Sequence, residues 1–290
     1  MIELIKRIII SNSITRSIYH FFRYLLFTST CKKPYFQKNS FNKKLIIIGN
    51  GPSLANDKQK LINSNYSDFM CVNDFAKTDL FKKIKPKYYI LMDSYFFQDN
   101  VHEMWIRSRE ELFNFIEKDT EWEMTIYLPH YADISIIKDK VKNSLIKIIK
   151  LPHQALFSRK YNSLIKILYD INFYCPPQVN VLVSAIFIGI KLKYSELNIY
   201  GADLSFHNDV FVNQETNVPY IMHRHYGNQN EQKKFTKNPA NIELWRMSDF
   251  LALTANTFYG HEMNAKYAHS KKIIIKNLSS FSMIDAYIRG

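Results

Sequence analysis

Cysteine is scarce, and what there is cannot pair locally: Cys31, Cys71 and Cys175 are an odd number, far apart in a chain of 290 residues. That argues against a disulfide framework and a cysteine-built zinc site, and fits a reducing cytoplasm. Glycine is also rare, at 7 residues, so a glycine in a turn carries more meaning than usual. No run of about 18 uncharged apolar residues occurs, so no segment reads as a membrane span. No Asp-x-Asp pair is present, which removes a common device for holding a divalent metal on a diphosphate. Internal repeats, low-complexity tracts, Arg-rich arms and nucleic-acid-binding signatures are absent too, and nucleic acid is not expected as a partner.

The chain does hold a large apolar fraction, 47%, enough for a substantial core. It is also basic, with a formal net charge of +13 and a sequence pI near 9.4. The charge is spread as pairs such as Lys82-Lys83 and Lys271-Lys272, which suits an anionic surface or a phosphate-bearing substrate. Residues 1–33 read as a basic amphipathic helical segment, with Ile14, Ile18, Phe21, Phe22, Leu25 and Leu26 at helical spacing and Arg16, His20 and Arg23 between them. Such a helix either lies on an anionic membrane or packs on the domain. Residues 34–43 read as a linker, and residues 44–290 as one catalytic domain.

Within that domain, Leu45–Ile48 is a short continuous apolar run of the kind found in buried parallel strands. It runs into the turn Gly49-Asn50-Gly51-Pro52-Ser53 and then a helical stretch. Strand, glycine turn and helix open a doubly wound fold, and exposed N–H groups at the helix start would favour a phosphate. The turn is neither a Walker A loop nor a full dinucleotide fingerprint. Further strands are expected at 69–72, 88–92, 124–128, 145–151, 197–200 and 273–275, with helices at 102–118, 181–192, 242–266 and 282–288. The fold class is therefore α/β, a Rossmann-like, doubly wound and mostly parallel sheet. Residues 204–239, rich in polar residues and histidine, read as a lid.

Four of the expected strands end in polar residues, Asn50, Asn73, Asp93 and Asp203, at the carboxyl edge where open α/β sheets bind ligands. Each alone is an ordinary turn residue. The segment Tyr220-Ile221-Met222-His223-Arg224-His225-Tyr226 adds an imidazole suited to accept a hydroxyl proton near neutral pH, and Tyr and Arg groups that stabilise a leaving phosphate without metal. No third ligand stands at a recognisable spacing from His223 and His225.

Leu45–Leu54 (LIIIGNGPSL) closely resembles the opening strand and turn of the Campylobacter-type sialyltransferases. Cys71-Val72-Asn73, Tyr194–Asp203 (YSELNIYGAD) and Tyr220-Ile221-Met222-His223 resemble that family's later motifs in the same order. The resemblance implies a GT-A-like variant fold and a metal-independent, inverting transfer from a CMP-linked sugar, without a cofactor. It implies that His223 is the base, that Tyr220 sits against the donor phosphate, and that Asn50, Gly51, Asn73, Asp93, Asn180, Gly201 and Asp203 line the nucleotide-sugar pocket. The acceptor would be a surface glycan, lipooligosaccharide or capsule precursor at the inner face of the cytoplasmic membrane, reached through the amino-terminal helix; self-association is left open. Ser205 and Phe211 stand where the family carries two phosphate-contacting tyrosines, and Asn180-Val181 replaces its Thr-Ser pair. Val72–Phe75, Ile84–Tyr89 and Asn277–Asp285 also resemble a wider motility-associated glycosyltransferase-like and pterin-pyrophosphokinase-like group. The alternatives are therefore a pyrophosphokinase-like phosphoryl transfer or a non-catalytic, membrane-associated assembly factor.

Overall fold

A computed structural model describes residue 22 and residues 43–63, 68–151, 154–224, 230–238 and 241–290. The expected amino-terminal helix and linker lie outside these residues, apart from the exposed, helical Phe22 and from Lys43.

The centre is an eight-stranded sheet, parallel at every pairing. Its first five strands are β1 (Lys44–Ile48), β2 (Asp68–Val72), β3 (Tyr88–Ile90), β4 (Met124–Leu128) and β5 (Ile146–Lys150), laid side by side in chain order. Helices α1 (Leu54–Ile62), α2 (Leu80–Ile84), α3 (Glu103–Asp119) and α4 (Ile134–Lys140) connect them and cover one face.

After β5 the chain crosses to the other face, where two short strands, β6 (Gln154–Ala155) and β7 (Tyr174–Cys175), pair with each other from either side of a helix in the sequence. There it forms α5 (Ser163–Asp170) and α6 (Val181–Lys191), and re-enters the sheet beside β1 as β8 (Glu196–Tyr200). Parallel crossovers keep one hand, so reversing the winding direction puts the second set of helices on the opposite face. The sheet order β15-β14-β8-β1-β2-β3-β4-β5 thus has its switch point between β1 and β8.

Strand alternation builds the two cores. Leu45 and Ile47 of β1 join the core under α5–α6, while Ile46 and Ile48 join the one under α1–α4. All four are buried, as expected of strands covered on both faces. Helix α6 is apolar all round because it is enclosed all round: every residue from Leu182 to Ile190 is buried.

Three expectations about the carboxyl-terminal half are corrected. The loop expected over residues 204–239 holds regular structure among its described residues. After a 3₁₀ turn at Phe206–Asp209 they form an antiparallel sheet of β9 (Val210–Asn213), β10 (Val218–Arg224) and β11 (Asn230–Lys234). The helix expected from residue 242 starts later. Residues Thr236–Asn238 (β12) pair with Asn241–Leu244 (β13), and α7 spans Met247–Ser270. Trp245 stacks on Phe235 with ring centroids 5.9 Å apart, which holds the hairpin closed before α7 begins.

The helix expected at 282–288 does not form. The Ser282 hydroxyl donates to Ala202 O and accepts from Ile284 N, local bonds that compete with helical ones. The chain instead follows β14 (Ile274–Asn277) and ends in β15 (Ile288–Arg289) at the sheet edge. Among the described residues no helix is long and apolar enough to cross a membrane.

Candidate functional site

A cleft of about 780 Å³ opens at the carboxyl ends of β1, β2 and β8, over the switch point. Most of its wall comes from four separate stretches of chain: Gly49–Pro52 after β1, Val72-Asn73 after β2, Asn180–Leu182 at the start of α6, and Gly201–Phe206 after β8. Six of the nine residues singled out from sequence, Asn50, Gly51, Asn73, Asn180, Gly201 and Asp203, are therefore gathered around one space.

The glycine turn sits where it does because the β1–β8 ladder continues past the strands. Gly49 N donates to Tyr200 O and Gly51 N to Gly201 O, both at 2.9 Å. The close approach demands glycine. A Cβ at position 51 would lie 1.9 Å from Asp203 Oδ2, and Gly201 holds φ +62 with no room for a side chain against Gly49 O.

Asp203 locks this arrangement. Its Oδ1 accepts from Ser53 N at 3.0 Å and its Oδ2 from Ser53 Oγ at 2.6 Å, and both residues are buried. The carboxylate is an internal anion at the start of α1, where a phosphate would gain from the helix dipole. The next N–H groups are also used: Leu54, Ala55 and Asn56 donate to Gly51, Pro52 and Ser53 carbonyls. The expectation of exposed N–H groups at the helix start is thus corrected: Ser53, Leu54, Ala55 and Asn56 all donate within the protein.

Asn50 and Asn73 carry the next layer. Asn50 Nδ2 donates to Val72 O at 3.1 Å, tying the end of β1 to β2. Asn73 holds φ +47, in the left-handed region that asparagine tolerates. Tyr89 fixes it there: its hydroxyl donates to Asn73 O at 2.5 Å and accepts from Ala76 N at 2.8 Å. Asn73 Nδ2 donates to Asp93 Oδ2 at 2.8 Å, while its Oδ1 is buried with no hydrogen-bond partner among the described residues.

Asp93 does not line the cleft; it reaches it through Asn73. Its carboxyl is pushed up to about 6, first by desolvation and then by the Asp74 carboxylate, against the lowering bond from Asn73. The residue as a whole remains open to solvent, so Asp93 marks a recess rather than an interior. Asn180 caps α6, its side chain accepting from Leu182 N at 2.8 Å.

Tyr220 and His223 lie on β10, in the small antiparallel sheet. That strand packs beside the 3₁₀ turn Phe206–Asp209, whose Phe206, Asn208 and Asp209 line the cleft. The Tyr220 ring faces Phe211 at 6.1 Å and is not part of the cleft wall. The backbone of His223 pairs with Glu231 across β10 and β11; the His223 side chain, and His225 and Tyr226 altogether, lie outside the described residues.

Sequence reasoning missed the carboxyl-terminal strap. Ser279 Oγ accepts from Ala202 N at 3.0 Å, Met283 N donates to Asp203 O at 2.9 Å, and Phe281 enters the cleft wall. The signal was the serine cluster 279, 280, 282 directly after a strand, read instead as the approach to a helix. Leu204, a cleft residue with φ +49, is a second miss; a branched side chain in that region marks local strain.

No protein-family model matches the chain, and no curated protein matches it. Among solved structures the chain is similar to the MAf glycosyltransferase from Magnetospirillum magneticum AMB-1, at 14% identity and a TM-score of 0.48. The likeness covers 88% of this chain and 34% of that one, so the chain spans about a third of that protein's length. At that level of likeness its activity does not transfer to this chain.

Proposed function

We propose that the chain is a glycosyltransferase whose switch-point cleft takes the nucleotide of an activated sugar. The observation that carries this reading is the convergence of Asn50, Gly51, Asn73, Asn180, Gly201 and Asp203 on one cleft of about 780 Å³, a size suited to a nucleotide. Asparagine amides and backbone groups dominate its polar lining, which suits a base and ribose better than a multiply charged triphosphate. The buried Asn73 Oδ1 is an acceptor waiting for a donor, such as an exocyclic amino group or a ribose hydroxyl.

The donor is proposed to be a CMP-linked acidic sugar, sialic acid or a relative, and the acceptor a cell-surface glycan or its lipid-linked precursor. In the transfer, His223 takes the acceptor hydroxyl proton as the acceptor oxygen forms its bond to the anomeric carbon. The bond from that carbon to the donor phosphate breaks on the opposite face, the electron pair leaves with the phosphate, and the configuration inverts. Tyr220 and neighbouring donors steady the phosphate without a metal. The site is proposed to work at the inner face of the cytoplasmic membrane.

The test is thermal stabilisation by CMP, UDP, GDP and ATP, each with and without chelator, followed by the His223→Ala variant. Stabilisation by CMP in chelator is expected, because a ligand at about 100 times its dissociation constant adds about 2.7 kcal/mol. His223→Ala is expected to keep that shift and to lose transfer. Stabilisation by ATP alone, and only with Mg²⁺, would replace this reading with pyrophosphokinase-like chemistry. Full transfer by His223→Ala would remove the assigned base.

A further inference from the structure

Helix α5 is apolar on two faces, and only one of them is used by the core. Ile165 and Tyr169 are buried beneath it, whereas Leu164 and Ile167, on the arc away from the core, are 63% and 53% exposed. Phe157, in the loop leading into the same helix, is 63% exposed. A water-facing surface seldom leaves large apolar side chains so close together in sequence and so open without a use for them.

The surroundings are basic. Lys166 and Lys271 bond the Asp170 carboxylate at 2.9 and 2.6 Å, and Lys191 donates to the backbone carbonyls of Tyr169 and Asp170. Three ammonium groups therefore gather about one carboxylate, and the patch keeps a net positive charge. The loop before the helix adds exposed Arg159 and Lys160, with the Arg159 guanidinium 4.4 Å over the Tyr259 ring of α7. Tyr161 ties that loop to the end of α7 through a 2.9 Å bond to Ser270, beside Lys271 and Lys272.

We propose that this face, formed by Phe157, α5 and the end of α7, docks on an anionic phospholipid surface. Leu164, Ile167 and Phe157 enter the boundary between headgroups and acyl chains, and the ring of lysines and Arg159 meets the lipid phosphates. Charge selects this occupant over a second copy of the chain, because self-docking would set the basic cluster against itself. The docking is read from the folded domain, and needs neither the amino-terminal segment nor the proposed sugar transfer.

The experiment is sedimentation of the full chain with vesicles of phosphatidylcholine alone, or holding roughly one part in four of phosphatidylglycerol. Binding is expected only to the anionic vesicles. Leu164→Gln combined with Ile167→Gln is expected to weaken it by at least about tenfold. Lys160→Glu combined with Lys272→Glu is expected to weaken it further at low salt than at high salt. A Phe157→Trp variant, which keeps the patch apolar, is expected to shift its emission to the blue on anionic vesicles only. Absence of wild-type binding would overturn the proposal. So would unchanged binding by the Leu164/Ile167 variant together with an unshifted, water-like emission from the Phe157→Trp variant. Loss of a dimer in the Leu164/Ile167 variant with vesicle binding intact would overturn it as well. Nucleotide stabilisation is a separate readout, so failure here and failure of the cleft reading are distinguishable.

Discussion

Removing the Asp203 carboxylate tests whether the cleft floor is built as described. Asp203 holds Ser53 by two charge-assisted bonds, to the backbone N–H at 3.0 Å and to the hydroxyl at 2.6 Å, with the two residues only 6% and 5% exposed. Bonds to a charged acceptor contribute about 1.5–3 kcal/mol each, and burial stops water from replacing them fully. Asp203→Ala should therefore cost about 3–5 kcal/mol of folding stability, and Ser53→Ala, which loses only the hydroxyl bond, about 1.5–3 kcal/mol. Because the hydroxyl bond is counted in both single variants, the double variant should fall short of their sum by about 1.5–3 kcal/mol. Urea unfolding followed by circular dichroism measures all four proteins, with an unchanged slope as the sign that only stability moved. Additive single effects, or an Asp203→Ala protein as stable as the parent, would refute the internal-anion account and return Asp203 to the role of a free ligand-binding group.

Two further outcomes follow from the same geometry. Gly51→Ala places a Cβ 1.9 Å from Asp203 Oδ2 and 2.7 Å from Gly201 O, so backbone must move. The variant should lose about 3 kcal/mol or more in urea unfolding and with it the nucleotide-induced thermal shift; a parent-like protein would show that the turn is looser than described. His261 is fully buried, its Nδ1 2.9 Å from the Tyr287 hydroxyl, and burial lowers its pKa to about 3. The unfolded chain therefore binds a proton below about pH 6.5 that the folded chain refuses, and stability should fall by about 1.4 kcal/mol per pH unit on acidification towards pH 3. His261→Gln should flatten the stability profile between pH 6.5 and 5 by about 2 kcal/mol, and an unchanged profile would place the titration elsewhere.

The sheet was legible because its strands are buried on both faces, which leaves continuous runs such as Leu45–Ile48 and Phe69–Val72 in the sequence. The cleft was legible for a related reason: strand ends fix where polar residues gather, and Asn50, Asn73 and Asp203 stand directly after apolar runs. The antiparallel sheet at 210–234 was not legible. Its first two strands are half-buried, its third is polar and exposed where described, and the first connection, residues 214–217, holds no glycine, so polarity dominated the reading. The first turn of the expected helix at 242 failed because Trp245 pairs with Phe235 across a hairpin, a contact that helical periodicity cannot reveal. The strap at 279–283 failed for a different reason: its serines bond to β8-loop backbone about 80 residues away in sequence, and nothing local announces such partners.

The internal anion at Ser53 also bears on where a donor phosphate would go. A carboxylate already occupies the start of α1, so a second anion there would meet like charge at short range and lose rather than gain. The other helix opening onto the cleft is α6, where the cap is a neutral asparagine whose side chain satisfies only the Leu182 N–H. Under the proposed function, the phosphate therefore belongs near residues 180–182, and the nucleoside belongs over Gly49–Gly51 and Asn73, whose amide and backbone groups carry no charge. That orientation runs the donor from β1 towards the loop after β8 and the Phe206–Asp209 turn, against which β10 packs. The sugar end would then point to the element that carries Tyr220 and His223.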